Sequence, residues 1–149
     1  MKDKSNSLLK LNRIIFVLAI IGLIIAVYVL QGFLRQAPIV CINTGCEQVR
    51  KSASSYIFGI PVPAFGLVGY SLITILAFLR TFSTGKSLLY AILGIASFGF
   101  LFVGWFTYTE IFVIKAICTW CAISGVNMAI IFVLSLLTFK QEKIKNEIK

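Results

Sequence analysis

Four long stretches of the chain carry no charged side chain at all: 14–34, 52–79, 87–109 and 116–139. A bilayer core is crossed by roughly 20 apolar residues in helical form, and inside it the backbone must satisfy its own hydrogen bonds. Each stretch therefore reads as a membrane-crossing helix. The second overshoots because its start contains Ser, Gly and Pro, and Pro61 and Pro63 suit a first helical turn better than a helix middle. The spans are expected at about 14–34, 62–79, 87–109 and 116–139. Composition agrees, with 59% hydrophobic and 13% charged residues and a mean hydropathy of +0.98. A soluble domain so poor in polar side chains could not cover itself. The expected fold is an all-α integral membrane protein, a four-transmembrane-helix bundle. It forms a single domain over 1–149, with a long outer loop and cap at about 35–61 between helices 1 and 2.

The net charge of +9 would suggest nucleic acid if the basic residues shared a wet face. Instead they flank the spans. Lys2, Lys4, Lys10 and Arg13 precede the first, Arg80 and Lys86 bracket the turn holding Thr84-Gly85, and Lys140, Lys143, Lys145 and Lys149 form the tail. The other side keeps Arg35, Arg50, Lys51 and Lys115. Because Lys and Arg accumulate in the cytoplasm, both termini are expected inside, and the long loop and the short turn around Glu110 outside. The first span is too long for a secretory signal and lacks a clear small-x-small site after it. Nucleic acid is not an expected partner.

Histidine is absent, which removes histidine bases, histidine-ligated haem and two-His zinc sites. Four cysteines remain. Cys41 and Cys46 lie in the long loop, and Cys118-Thr119-Trp120-Cys121 opens the last span. The topology puts all four on the oxidising side, where disulfides persist, although sequence leaves their pairing open. A C-x-x-C at a helix start places its sulfurs on one face, and the first-turn amides favour a thiolate. Lys115 would add to this, or serve only as an interfacial anchor; Trp120 has the same plain reading as a membrane-interface aromatic. The four-residue gap, which contains Asn43, Thr44 and Gly45, reads as flexible and polar, with both loop sulfurs within reach of water. A mobile pair facing a membrane-edge C-x-x-C suits a relay. The competing readings are two structural disulfides, or a zinc site, which an oxidising compartment disfavours; no metal is expected.

At this point the chain resembles the vitamin K epoxide reductase family, in particular its small bacterial members. The resemblance runs from Cys41 to about Asn127. It rests on the loop pair, then Val49, Ser52 and Tyr56, Gly59-Ile60-Pro61, Phe65-Gly66 and Tyr70, and finally the C-x-x-C. It implies a quinone-dependent disulfide oxidoreductase of the bacterial cytoplasmic membrane, with a quinone of menaquinone or ubiquinone type held near the outer edge. A separate thioredoxin-like extracytoplasmic protein would give its electrons to Cys41, Cys46 would exchange with Cys118, and Cys121 would face the quinone. By the same resemblance Ser52 would be a quinone contact or an anchor of the cap, with Ser54 and Ser55 close by, and Phe65, Gly66 and Tyr70 would line the quinone site. The animal enzymes carry a tyrosine one helical turn after the C-x-x-C. Gly125 stands there in this chain, which weakens the alternative of epoxide reduction. A non-catalytic membrane protein with structural disulfides is the other alternative.

The remaining candidates have plain readings. Glu110 is expected to be a solvated turn residue, since nothing in the sequence buries it. Gly66, Gly69, Gly94 and Gly99 are expected to be close helix contacts. Phe98, Phe100, Phe102, Trp105 and Phe106 are expected to pack or face lipid, with a quinone pocket as the sharper option. Arg50 and Lys51 are expected to keep the loop soluble, or else to favour a Cys46 thiolate or an acidic partner.

Overall fold

A computed structural model of the chain describes residues 2–42, 44–83 and 85–147. Asn43, Thr84 and Lys149, which entered the reading of the loop, the turn and the tail, lie outside the described residues. Five α-helices account for most of the chain: α1 (Lys2–Arg35), α2 (Gly45–Lys51), α3 (Val62–Phe82), α4 (Lys86–Thr109) and α5 (Thr119–Glu147). Four of them are long and apolar enough to cross a membrane, over Asn6–Arg35, Val62–Phe82, Lys86–Ile114 and Thr119–Ile144. The molecule is an all-α membrane bundle.

The long helices form a ring in which α1 and α4 each pack against both α3 and α5. Small side chains set the approach. Ala19 and Ala26 of α1, Ala77 of α3 and Ala96 of α4 are buried among Ile15, Ile73, Ile92, Met128 and Ile131, and small residues allow helices to close without a water-driven hydrophobic force. Gly22 of α1 lies directly against the Tyr70 ring, where any Cβ would collide with it. The Tyr70 hydroxyl donates to the Ser124 carbonyl at 2.8 Å, and Asn127 Nδ2 donates to the Leu18 carbonyl at 3.0 Å. These bonds tie α1, α3 and α5 at mid-bundle. At the end opposite the cysteines, Arg80 and Glu142 form a buried ion pair at 2.8 Å, and Asn12 Nδ2 donates to the Ala77 carbonyl at 2.9 Å.

Between α1 and α3 the chain builds a small cap. Gln36 leaves α1 with a positive φ of 53°, residues 37–41 run without regular structure, and α2 follows. Ser52 then caps a short turn of tight helix, Ala53–Ser55. Next comes a two-residue hairpin of β1 (Tyr56–Ile57) and β2 (Ile60–Pro61), antiparallel with Ile57 opposite Ile60. Phe58 and Gly59 turn it with φ of 51° and 80°. Two successive left-handed residues are what a tight hairpin requires, and glycine supplies one without strain. Pro61 and Pro63 flank Val62 at the start of α3, where the helix has no use for their missing N–H groups.

The expected turn around Glu110 is replaced by a continuation of the third span. After Thr109 the helix widens into a π-turn over Glu110–Ile114. The Glu110 carbonyl accepts from the Ala116 N–H at 3.1 Å, and the chain leaves at Lys115 with a φ of 56°. That widened turn brings residues 116–118 back over the end of α4.

Candidate functional site

The site is built where α2 meets the start of α5. Cys46 lies in the first turn of α2 and Cys118 immediately precedes α5. Cys41 and Cys46 form a disulfide, while Cys118 and Cys121 are free thiols. The Cys46 and Cys118 sulfurs stand 3.2 Å apart. Both cysteines are 1% exposed and pack with Val49, Val62, Phe106 and Ala116, whereas Cys41 is half-buried. The expectation that both loop sulfurs meet water is thus corrected for Cys46.

The loop is also less free than its composition suggests. Gly45 begins α2 rather than loosening a linker, and a Cβ there would collide with the Ile117 backbone carbonyl. Only glycine lets α2 come this close, and that closeness sets Cys46 against Cys118. Arg50 is buried and clamped, its guanidinium paired with Glu47 and donating to Gln36 Oε1 at 2.7 Å. It fastens α2 to the end of α1 and is not a solubility residue. Lys51, by contrast, is exposed and pairs with Glu47 at 3.1 Å. Trp120 Nε1 donates to the Val40 carbonyl at 2.7 Å, and its ring meets Tyr28 edge-on with centroids 5.2 Å apart. It holds the segment that carries Cys41 onto the bundle.

Cys118 lies just outside the fourth span, and its thiol is drawn down to about 7. The hydrogen bond from the Cys121 thiol is the largest cause, desolvation opposes it, and the N–H groups of Cys121 and Trp120 add to it. The first-turn amides act as a helix N-terminus should. Lys115 is exposed and has no part among these causes.

Cys121 opens onto a cavity of about 590 Å³ between α3 and α4, within the size range of small-molecule sites. Phe65, Gly66 and Tyr70 border it, together with Gly69, Gly94 and Ser124. At Gly66, Gly69 and Gly94 an added Cβ would meet nothing within 4 Å. These three glycines therefore make space rather than helix contacts, which corrects their expected role. Gly99 does pack closely, against Met128. Phe98, Phe102 and Phe106 line the cavity; Phe100 stacks on Phe132, with centroids 5.0 Å apart, and Trp105 is half exposed. Ser52 does not border the cavity. Its hydroxyl accepts from the Ser54 N–H at 3.3 Å, while Ser55 is fully buried and donates to the Val49 carbonyl at 2.5 Å.

Glu110 departs furthest from its expected place. It is 1% exposed, and its carboxyl lies beside the Cys118 and Cys121 sulfurs, the three groups' ligand atoms within 4.8 Å of one another. No sequence signal marked it, because the π-turn that buries it has no composition signature.

The model of the vitamin K epoxide reductase family matches residues 13–136 of the chain. The chain belongs to this family. Membership carries an oxidoreductase function of the membrane thiol–disulfide and quinone kind. The four cysteines and the apolar cavity behind Cys121 are the parts such chemistry needs. No curated protein matches the chain.

Proposed function

We propose that the chain oxidises a separate thioredoxin-like protein on the extracytoplasmic side and passes the two electrons through two cysteine pairs to a membrane quinone of menaquinone or ubiquinone type. In this reading residues 1–149 act as one domain of a bacterial cytoplasmic membrane, with both termini inside and the cysteines outside. The observation that carries it is the sulfur path: a closed Cys41–Cys46 disulfide, 3.2 Å from Cys46 to Cys118, and Cys121 on the cavity wall.

Cys41 is the more exposed loop sulfur, so the partner's thiolate attacks it and displaces Cys46. The partner's second thiol then resolves that bond and leaves the loop pair reduced. Cys46 attacks Cys118 of a Cys118–Cys121 disulfide, releasing Cys121, and Cys41 next attacks Cys46, releasing Cys118 as a thiolate. A thiol that ionises near neutral pH is a good leaving group. Two electrons have moved from loop to helix, leaving the arrangement of disulfide and thiols seen in the structure.

The cavity fits a quinone: its walls are apolar, three glycines keep it open, and one redox sulfur borders it. A bound quinone supplies an acceptor for two electrons and two protons. Phe65, Phe98 and Phe102 would hold the ring and exclude water, and Cys121 would stand against it. Gly125, where the animal enzymes have a tyrosine, lies beside Val103 and offers no hydroxyl, so disulfide formation is favoured over epoxide reduction.

The test mixes the chain, its Cys41–Cys46 disulfide closed, with a reduced thioredoxin-like protein whose second cysteine is replaced by serine. The partner's remaining thiolate opens the loop disulfide, and a mixed disulfide through Cys41 should accumulate, because the partner's resolving thiol is gone. An adduct that forms instead through Cys118 would remove the loop pair from the entry step.

A further inference from the structure

We propose that Glu110 is the proton carrier of the Cys118–Cys121 couple, holding one proton while the pair is reduced and releasing it when the pair closes to a disulfide. The inference deepens the proposed function and rests on it for the identity of the acceptor.

The geometry is specific. The acceptor atoms of Glu110, Cys118 and Cys121 all lie within 4.8 Å of one another. The carboxyl is 1% exposed, and its Oε1 has no hydrogen-bond partner among the described residues. A buried carboxyl without a cation is costly, and a group left half-satisfied in this way calls for an explanation. A purely structural polar side chain at this place could be a glutamine. What glutamate adds is an exchangeable proton within reach of a reacting sulfur.

Proton counting gives it a task. With Cys118 as thiolate and Cys121 as thiol, the reduced pair holds two electrons but one proton, and the quinone takes two. Glu110 as the neutral acid holds the second. Closing the pair then balances: Cys118 thiolate, Cys121 thiol and Glu110 acid become the Cys118–Cys121 disulfide and Glu110 carboxylate. One S–S bond forms, and two electrons and two protons leave for the quinone. The Glu110 proton leaves by way of the neighbouring Cys121 sulfur, within 4.8 Å of the carboxyl. Reduction of the disulfide by the loop pair restores the proton. The signs agree with electrostatics, since a neighbouring thiolate favours the neutral carboxyl and a disulfide does not. The groups facing Glu110 are Cys118 and Cys121. From α2 the nearby Cys46 is held in a disulfide and Arg50 is bound by Glu47 and Gln36, and Lys115 of the same turn is exposed.

The experiment uses the purified full chain in detergent, free of quinone, in a Cys41→Ala, Cys46→Ala background that leaves only this couple. Just above neutral pH, where Cys118 is ionised, reduction should take up two protons per disulfide. In an added Glu110→Gln variant it should take up one, halving the pH slope of the midpoint potential. Reduced-minus-oxidised infrared spectra of the otherwise unchanged background should show a gained carboxylic-acid C=O band that Glu110→Gln lacks. Glu110→Gln in the four-cysteine chain should also slow quinone reduction roughly 100-fold. An unaltered slope in Glu110→Gln overturns the proposal, as does the absence of a carboxyl band in the background itself, which needs no Glu110 variant to fold. Neither readout involves quinone, so a different acceptor would leave both intact and show only as lost quinone turnover in the wild type.

Discussion

With its own disulfide to Cys41 closed, the Cys46 sulfur already stands 3.2 Å from the Cys118 sulfur. The two pairs are thus in exchange distance without a long swing of the loop, because Gly45, Arg50 and Trp120 fix α2 and the Cys41 segment against the bundle.

This proximity predicts one crosslink. A Cys41→Ser, Cys121→Ser double variant keeps only Cys46 and Cys118, and mild oxidant should join them almost completely within a monomer. A Cys46→Ser, Cys121→Ser variant, which keeps Cys41 and Cys118, should crosslink far more slowly. Non-reducing mass spectrometry of both variants gives the answer, and equal rates would mean that α2 is not held as described.

Gly45→Ala should leave the four spans folded but push α2 off the Ile117 carbonyl. Displacement of reacting atoms by about 1 Å can cost roughly 100-fold in rate. The Cys46–Cys118 crosslink in the double variant should slow by about that factor, followed by quenched time points.

The glycines divide into two groups by what a side chain would meet. Gly22→Ala collides with Tyr70 and should destabilise the bundle by about 1–3 kcal/mol, the usual cost of overpacking, read from thermal unfolding in detergent. Gly69→Leu projects into open cavity. It should raise the KM for quinone roughly tenfold while leaving the Cys46–Cys118 crosslink unchanged.

Ionisation of Cys118 gives a pH prediction. Its thiol is drawn down to about 7, chiefly by Cys121, so the reactive thiolate should grow in as pH rises through neutrality. Cys121→Ala removes the largest cause and should move that onset to higher pH, toward an ordinary thiol. The pH profile of Cys118 modification by a small thiol reagent, resolved by mass spectrometry, checks it; an unmoved profile would assign the shift to the backbone amides alone.

The spans and the C-x-x-C were legible because each is a local pattern: an uncharged stretch of the right length, and two cysteines three apart at a helix start. The helix at Val62 was equally legible from Pro61 and Pro63. What escaped depends on distant chain segments meeting. Gly45 looks like linker composition until Ile117 is seen against it, Arg50 looks like solubility until Gln36 and Glu47 close on it, and Glu110 looks solvated until the π-turn folds Cys118 over it. Gly66, Gly69 and Gly94 were misread for the same reason. Spacing distinguishes a small residue from a large one, but not a tight contact from an empty space.

The central claim is that electrons reach the quinone only through the Cys118–Cys121 pair, with the loop pair feeding it. Its most direct measurement is anaerobic mixing of fully reduced, desalted protein with excess quinone, following quinone absorbance to the end of a single discharge. The wild type, with four thiols, should reduce two quinones per chain. A Cys41→Ala, Cys46→Ala variant should reduce one, and a Cys118→Ala, Cys121→Ala variant none, although its loop pair is reduced. Quinone reduction by that last variant at the wild-type rate would contradict the relay.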